Sequence, residues 1–347
     1  MKFTPLKQTM IVKGMNKMEL LKELTQTNSV SGNENHIYDI IIRELCDAVD
    51  EIYTDEIGNL VAHKKGGGKK LLISAHIDEV GLMASFIDSD GFVRFSGVGE
   101  VNFSAILYNR VKFDSGVTGI VCAEANLDSK KEVRAKDMYI DIGTSSCEET
   151  KSLISPGDVA ALCSVFQKKG KRIFSGSLDN KAGVYALIKS IQTIRDNSLD
   201  LYFVFSSQEE LGSRGAKIAA YNINPDIALT VDVTAAEDIP GCDNSQIQLG
   251  KGVAIKFMDK AVITHKGFRD TIIRIAEDNE ISHQSEIVSK KLSDSGAIQS
   301  VKNGVVVGAI SIPARYIHTE CEMIDEDDID ACIKLICEIC KKDFILF

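Results

Sequence analysis

Apolar and polar positions along the chain follow two alternating periodicities. Apolar residues three and four positions apart predict amphipathic helices at residues 15–25, 34–48, 181–193, 213–221, 268–279 and 326–340. Short runs rich in β-branched and aromatic residues predict strands at residues 51–54, 59–63, 71–75, 201–206, 226–233 and 305–311. This alternation predicts an α/β fold with a mainly parallel sheet covered by helices on both faces.

Residues 86–168 have a different texture and interrupt this alternation. Their short apolar runs are separated by turn sequences such as Ser89-Asp90-Gly91, Asp114-Ser115-Gly116 and Pro156-Gly157-Asp158. Regularly punctuated short strands predict a small β-barrel or sandwich. We therefore expect one discontinuous α/β domain, residues 1–85 and 173–347, interrupted by an inserted β domain at residues 86–172.

Composition and charge exclude several classes of protein. The 347-residue chain is 44% hydrophobic, which supports a full core and excludes a disordered or fibrous protein. Its formal net charge is −10, and the basic cluster at residues 64–70 contains three glycines typical of a hairpin tip. These features argue against nucleic acid and anionic membranes as partners.

Several features favour a cytoplasmic protein. No apolar run approaches the roughly 20 residues of a membrane span. The first 14 residues lack the long apolar region of a signal peptide. Nine cysteines, an odd number without a repeating framework, are typical of reduced thiols in the cytosol. We therefore predict a cytoplasmic location and no membrane partner.

Three cysteines near the C-terminus have two interpretations. Cys332, Cys337 and Cys340 have the C-x4-C-x2-C spacing of one type of iron–sulfur protein. They also lie on the apolar stripe of the helix predicted at residues 326–340. Because small cysteines facing a core explain the pattern without a cluster, we favour a packing role.

Titratable residues collect where the predicted strands end. One strand leads into Glu209 and Glu210, and another leads into His76 and Asp78. Open α/β sheets bind ligands beyond the carboxyl ends of their strands. Residues two apart in a strand face the same side, so Asp78 could orient a metal-binding His76. Each pair taken alone is equally compatible with solvated loop residues.

Three further residues lie at comparable positions. Asp179 precedes the helix predicted at residues 181–193, where it could also act as the N-cap. Asp232 lies inside an apolar strand, where a buried carboxylate is costly unless it is paired or bound to metal. His318 follows the strand predicted at residues 305–311 across a break at Pro313.

This mixture of side chains points to metal chemistry. Two imidazoles and three carboxylates suit zinc or cobalt, whereas magnesium and calcium prefer oxygen ligands alone. A shared aspartate could hold two ions at the ~3.5–4 Å spacing of co-catalytic sites. Two divalent ions, three carboxylates and one hydroxide sum to zero charge. One of the two adjacent glutamates then remains free to act as a base.

The chain resembles the M42 metallo-aminopeptidases, co-catalytic zinc exopeptidases that form tetrahedral dodecamers. The resemblance runs from about Met15 to the C-terminal helix and includes the insertion. Its motifs are VSGNE at 30–34, SAHIDEVGLM at 74–83, GSLDNKAG at 176–183, SSQEELGSRGA at 206–216, TVDVT at 230–234, SDSGAI at 293–298 and RYIHTECEMI at 315–324. Any one motif is weak, but together they are highly specific.

The resemblance implies a set of metal ligands. Asp179 would bridge two ions, Glu210 and His318 would complete one site, and His76 and Asp232 the other. The cofactors would be two divalent ions per subunit, zinc or cobalt, with manganese as a further candidate. The native metal is left open, because metal availability decides it as much as ligand type.

The resemblance also implies catalytic and assembly roles. Glu209 would be the general base and Asp78 the partner of His76. Residues 86–172 would be a dimerisation domain, and the subunits would form a homododecamer built from dimers. Two positions depart from the family pattern without touching a ligand: the motif around Asp294 reads Ser-Asp-Ser instead of Thr-Asp-Ala, and Lys181 stands where arginine is frequent.

The function expected from these features is hydrolysis of N-terminal residues from peptide substrates. The alternatives are another metal-dependent amide hydrolase such as a deacylase, a glycoside hydrolase, and a scaffold without catalysis. Some relatives have carried cellulase names, and paired acids hydrolyse sugars. However, a glycoside hydrolase gives no role to His76 and His318, and the chain has no tryptophan to stack on a sugar. The preferred N-terminal residue and the role of residues 1–14 are left open.

Overall fold

The strands and helices build one large sheet and one closed barrel. A computed structural model describes residues 18–125, 133–195, 197–242, 246–289 and 293–342. Its helices are α1 Glu19–Thr25, α2 Tyr38–Leu45, α3 Cys147–Leu153, α4 Leu178–Thr193, α5 Arg214–Ile223, α6 Lys266–Asp278, α7 Asp294–Gln299 and α8 Glu326–Cys340.

The strands are numbered in chain order. They are β1 Glu51–Thr54, β2 Leu60–Lys64, β3 Lys70–His76, β4 Gly81–Ile87, β5 Val93–Val98, β6 Arg110–Phe113, β7 Thr118–Ala123, β8 Met138–Asp141, β9 Val159–Leu162, β10 Gln167–Lys169, β11 Arg172–Ser175, β12 Asp200–Ser206, β13 Ile227–Ala235, β14 Val253–Met258, β15 His283–Ile287, β16 Val306–Arg315 and β17 Glu322–Asp325.

The large sheet has a parallel centre and antiparallel flanks. Its order is β1-β2-β12-β3-β13-β16-β17-β11-β10, with β14 paired to β16 and β15 paired to β14. Strands β12, β3, β13 and β16 are parallel neighbours, whereas β2 pairs antiparallel with β12 and β17 antiparallel with β16. The predicted α/β fold with an inserted β-barrel is confirmed, and the sheet as a whole is mixed.

Alternation along the central strands buries both faces of the sheet. Leu71 and Ile73 of β3 belong to a core formed with helices α1, α2, α4, α6 and α8. Leu72 points to the other face, where it packs with α5 and α7. Helices therefore cover both faces, as the near-continuous apolar runs predict. Within the described ranges, no helix combines the length and apolar character needed to cross a membrane.

The insertion folds as a barrel with its own core. Strands β4, β5, β8, β7, β6 and β9 close in that order. Their inward residues, such as Val93, Phe95, Phe113 and Ile140, are buried together. Strands β10 and β11 pair with each other and β11 with β17, so the chain is back in the large sheet by residue 167. The domain division at residues 86 and 172 stays a prediction.

Two of the predicted elements differ from the structure in more than their exact ends. The helix predicted at residues 34–48 is a 3-10 turn at Glu34–Ile37 followed by α2. The predicted strand break at Pro313 is wrong, because β16 continues through it to Arg315. On the side of β16 away from β13, the partner changes from β14 at Ser311 to β17 at Ala314. Pro313 lies between the residue that pairs with β14 and the residue that pairs with β17. Its missing N–H therefore removes no hydrogen bond to either of these strands.

The cysteines of α8 face the core. Cys332, Cys337 and Cys340 are buried in the cluster shared with α4 and the sheet. Burial raises the pKa of the Cys332 and Cys340 thiols, which keeps them protonated and unreactive. All nine cysteines are free thiols. Packing accounts for the spacing of the three residues on α8.

Lys256 of β14 sits in a buried ion cluster, and replacing it should destabilise the fold. Its Nζ lies 3.3 Å from Asp259 Oδ2 and 3.3 Å from Glu286 Oε1. Substitution of Lys256 by methionine would leave two carboxylates in a dry interior without this ammonium group. We expect the free energy of unfolding in urea to fall by about 3–5 kcal/mol.

An exposed pair of the same chemistry supplies the control. Lys266 Nζ lies 2.7 Å from Asp270 Oδ2, and the Lys266 side chain is 83% exposed. Because water screens this pair, Lys266→Met should change the unfolding free energy by at most ~1 kcal/mol. Equal losses in the two variants would show that burial does not strengthen the Lys256 cluster.

Candidate active site

The titratable residues meet at the carboxyl edge of the parallel strands. His76 ends β3 and is paired in register with Ser206, which ends β12. Glu209 and Glu210 lie just after the end of β12, and Asp232 lies in β13, the strand on the other side of β3. Parallel strands bring their carboxyl ends to one edge of a sheet, which is where such folds bind ligands. The register therefore explains why residues far apart in the sequence converge.

Asp179 lies between the two histidines. Its Oδ1 is 3.2 Å from His76 Nε2, and its Oδ2 is 3.5 Å from His318 Nε2. The two oxygens of one carboxylate thus face two different imidazoles. Asp179 lies near the start of α4, at a kink where its torsion angles are non-helical. This position gives its side chain access to both histidines.

Two further acids complete two groups of three around Asp179. Asp232 Oδ1 is 3.5 Å from His76 Nε2, and Glu210 Oε1 is 3.1 Å from His318 Nε2. Within each group the potential ligand atoms lie within 4.8 Å of one another. The structure therefore brings both histidines and all three of these predicted carboxylates into one cluster.

Glu209 lies beside this cluster. It converges with His76 and Glu210 in a third group of potential ligands, but belongs to neither group that contains Asp179. Its side chain accepts a hydrogen bond from Ser213 Oγ at 3.3 Å, and the residue is 9% exposed. A carboxylate in this position is close enough to the centre to exchange protons with molecules bound there.

The surrounding acids create a strongly negative potential at the two imidazoles. Burial by itself lowers the pKa of His318, but hydrogen bonds to Asp179 and Glu210 outweigh it and raise that pKa to about 11. The pKa of His76 is likewise raised well above its ordinary value, because hydrogen bonds to Asp179 and Asp232 outweigh burial. A site that holds positive charge on imidazole this strongly also favours bound cations.

The carboxyl groups show the same excess of negative charge. Burial raises the pKa of Glu209 well above its ordinary value; His76 opposes this shift, and Asp294 adds to it. Burial likewise raises the pKa of Asp294 to about 6 and that of Glu322 to about 8. The positive charges that lower the pKa values of these three acids come from His76 and His318. Two histidines do not offset the charge of so many carboxylates. Buried acids without sufficient counter-charge fit a site that holds metal cations.

The donor set also fits divalent metals by type. Each group around Asp179 offers one imidazole nitrogen and two carboxylates. This mixed nitrogen and oxygen set is typical of zinc and related transition metals, whereas calcium and magnesium sites use oxygen. A pair of ions sharing the Asp179 carboxylate is the simplest occupant.

Asp78 ties the two glutamates to strand β3. Its carboxylate accepts the backbone N–H of Glu209 at 2.9 Å and of Glu210 at 3.1 Å, and also the hydroxyl of Ser31. His76 Nδ1 lies 3.1 Å from the Asp78 carbonyl oxygen and 3.5 Å from its carboxylate. Asp78 therefore contacts the His76 ring chiefly through its backbone, while its side chain anchors the glutamate turn.

Two buried residues were not given a role by the sequence analysis. Glu322 accepts the N–H of His318 at 2.8 Å and that of Asp179 at 2.8 Å. Lys181, noted only as a departure from the family pattern, donates to Ser29 Oγ and, at 2.6 Å, to the Ile77 carbonyl. The sequence offers one indication that Glu322 belongs to the site: it is an acidic residue that closely follows the candidate ligand His318.

Left-handed backbone occurs next to the site residues. Ser177, Gln208 and His318 have φ of 58°, 52° and 62°. Such values are uncommon outside glycine and cost free energy that the surrounding structure must offset. Ser177 precedes Asp179, and Gln208 precedes Glu209. Left-handed residues therefore occur in three of the segments that present the site side chains.

Comparison with known proteins gives a consistent result. The family model described as M42 glutamyl aminopeptidase matches residues 58–335. A putative aminopeptidase of Acetivibrio thermocellus is 43% identical over 320 residues, which cover 92% of this chain and 97% of that protein.

Two solved structures have the same fold. An aminopeptidase from the archaeon Desulfurococcus kamchatkensis has a TM-score of 0.91 and 35% identity, covering 94% of this chain and 95% of that chain. The TET1 peptidase of Pyrococcus horikoshii has a TM-score of 0.86 and 31% identity, covering 94% of this chain and 100% of that chain. That peptidase can assemble into a tetrahedron or a large octahedral shell.

Proposed function

Because the chain belongs to the M42 glutamyl aminopeptidase family and is an aminopeptidase, we propose that it removes N-terminal residues from peptides at a dinuclear metal centre. The observation that carries the proposal is the Asp179 carboxylate, whose two oxygens face His76 and His318 at 3.2 and 3.5 Å. Each histidine has a second acid beside it, so two ligand groups share one aspartate. This arrangement supports two ions, zinc or cobalt, with manganese as a further candidate.

The proposed ligands divide into two sites. Asp179 bridges the ions, Glu210 and His318 complete one site, and His76 and Asp232 complete the other. The division is supported by the contacts of the imidazole nitrogens, since His318 Nε2 is 3.1 Å from Glu210 and His76 Nε2 is 3.5 Å from Asp232. When bound, such ions supply a Lewis acid for the scissile carbonyl and increase the acidity of a water molecule.

Glu209 is the proposed general base. It takes a proton from the attacking water and returns it to the departing amine, so one carboxylate serves both steps. Burial raises its pKa, which makes it a stronger proton acceptor than an exposed glutamate. Its N–H is held by Asp78 and its Oε1 accepts from Ser213, and both contacts support a fixed orientation.

The negative potential of the site suits a substrate with a free amino terminus. The same acids that raise the pKa values of His76 and His318 favour the positive charge of a peptide's α-ammonium group. An N-acylated peptide has no such charge. We propose that this electrostatic preference confines cleavage to the N-terminal residue of the peptide substrate.

We also propose that the subunits form a homododecamer built from dimers through residues 86–172. The similar TET1 peptidase assembles into a tetrahedron. Within this segment, Phe86, Ile120 and Leu153 are exposed apolar side chains, as expected of a surface that another subunit covers. A cytoplasmic location stays a prediction.

Metal removal and restoration on a panel of chromogenic aminoacyl substrates tests the function. Chelation should abolish hydrolysis, and zinc, cobalt or manganese should each restore it to a different level. The matching N-acetylated substrates should not be cleaved, because the α-ammonium group is absent.

Other outcomes would redirect the assignment. Release of acetate from the N-acetylated substrates would support a deacylase. Hydrolysis confined to a cellulosic substrate would support a glycoside hydrolase. Hydrolysis that survives complete metal removal would overturn the metal centre. A purified protein with no stoichiometric metal and no activity would instead fit a scaffold.

A further inference from the structure

Glu322 joins two segments of the site that are distant in sequence. It is the first residue of β17 and is 2% exposed. Its Oε1 accepts the backbone N–H of His318, and its Oε2 accepts that of Asp179, both at 2.8 Å. Asp179 and Glu322 are 143 residues apart in the chain. One carboxylate thus holds the backbones of two proposed ligands at once.

The sheet fixes the position of Glu322 itself. Strand β17 pairs with β11, and Glu322 lies in register with Ser175, the last residue of β11. Its side chain therefore projects from a rigid strand towards two connections that no sheet holds. These connections contain Ser177 and His318, whose backbones are left-handed. A tether is needed there, because such conformations persist only where neighbouring groups stabilise them.

The contacts of Glu322 distinguish it from a metal ligand. Both of its oxygens are directed at backbone N–H groups. Among the described residues it belongs to none of the groups whose ligand atoms converge. The Asp78 carboxylate likewise accepts two backbone N–H groups, those of Glu209 and Glu210.

We propose that Glu322 is a positioning residue that sets the distance between Asp179 and His318 and so builds the metal site they share with Glu210. This inference rests on the dinuclear centre proposed above. Groups that orient metal ligands typically contribute about 10- to 100-fold to metal affinity. The effect should fall mainly on the ion held by Asp179, Glu210 and His318. The ion held by His76, Asp232 and Asp179 should be affected less, because only one of its ligands, Asp179, is held by Glu322.

Metal binding by Glu322→Gln tests the proposal without relying on turnover. The amide has one oxygen, so one of the two N–H groups loses its acceptor. Competition with a chromogenic chelator should show one ion bound about 10- to 100-fold more weakly, with a smaller change at the other. The visible absorption spectrum of the cobalt-loaded protein should also change, since it reports the ligand geometry.

Glu320 supplies the matched control, because it lies two residues away and contacts neither Asp179 nor His318 through a hydrogen bond in the described structure. Glu320→Gln makes the same charge change and should leave both affinities and the cobalt spectrum unaltered. If Glu322→Gln does not fold, Glu322→Asp replaces it, because that shorter carboxylate cannot reach both N–H groups.

Wild-type affinities and an unaltered cobalt spectrum in a folded Glu322 variant would overturn the positioning role. Complete loss of a single ion, with the other bound normally, would instead make Glu322 a ligand and would also overturn it. Failure of the wild-type protein to bind two ions is a different result. It would refute the dinuclear centre itself.

Discussion

Replacing Glu209 with glutamine should lower kcat by about 10²- to 10⁴-fold while both metal ions stay bound. The amide keeps the size and most contacts of the side chain but cannot accept the proton of the attacking water. Because Glu209 lies outside both groups that contain Asp179, we expect metal binding to be independent of it. KM should change little, since substrate contacts remain.

Three measurements on the purified variant separate the possible roles of Glu209. These are kcat, KM and metal content, each compared with Glu237→Gln, the same change at an exposed residue outside the site. Loss of one metal in Glu209→Gln would make Glu209 a ligand, in line with its convergence on His76 and Glu210. Normal turnover in the variant would remove the general-base role altogether.

The fold was predictable wherever the local pattern decides the structure. The run at residues 201–206 is apolar because β12 is buried on both faces, and its parallel pairing with β3 follows from the strand–helix alternation. Glu209, Glu210 and His76 were found because they lie at or just beyond the ends of such runs. The predicted strand break at Pro313 was wrong. Proline is tolerated there because the partner of β16 changes from β14 to β17, and the local sequence does not reveal such a tertiary feature.

Two of the elements that the sequence analysis missed, β15 and α7, lack a local signal. Strand β15 has the sequence HQSEI, with two polar residues on each of its faces, so no apolar alternation is visible. It also lies at the edge of the sheet. Helix α7 has six residues, too few for a visible apolar stripe. Strand β15 pairs with β14, and α7 packs against the sheet through Ile298, so both depend on tertiary contacts.

Within the site, the sequence supplied candidates but not their relations. Asp179 alone was equally compatible with a helix cap, and only its resemblance to a family motif made it a bridge. Glu322 could not be selected, because its role depends on two backbone N–H groups, one of them 143 residues away. The role of a residue that holds other residues in place becomes visible only when its contacts are known.

The largest effect on metal content is expected from Asp179→Ala. Because Asp179 faces both histidines, its removal takes a ligand from each proposed site. We expect metal analysis after gel filtration to find neither ion bound stoichiometrically and hydrolysis to fall to background. Asp232→Ala provides the comparison within the site, because it should lose only the ion shared with His76.

Thermal unfolding gives a second, independent readout of the same variants. An ion that binds only the folded state stabilises it by about 2.7 kcal/mol when its concentration is 100 times Kd. Added zinc or cobalt should therefore raise the Tm of the wild-type protein most, that of Asp232→Ala less, and that of Asp179→Ala least. An Asp179→Ala protein that keeps one tightly bound ion would show that the two sites do not share this carboxylate. The two ions would then need separate ligand sets, and Glu209 would be the first residue to reassign.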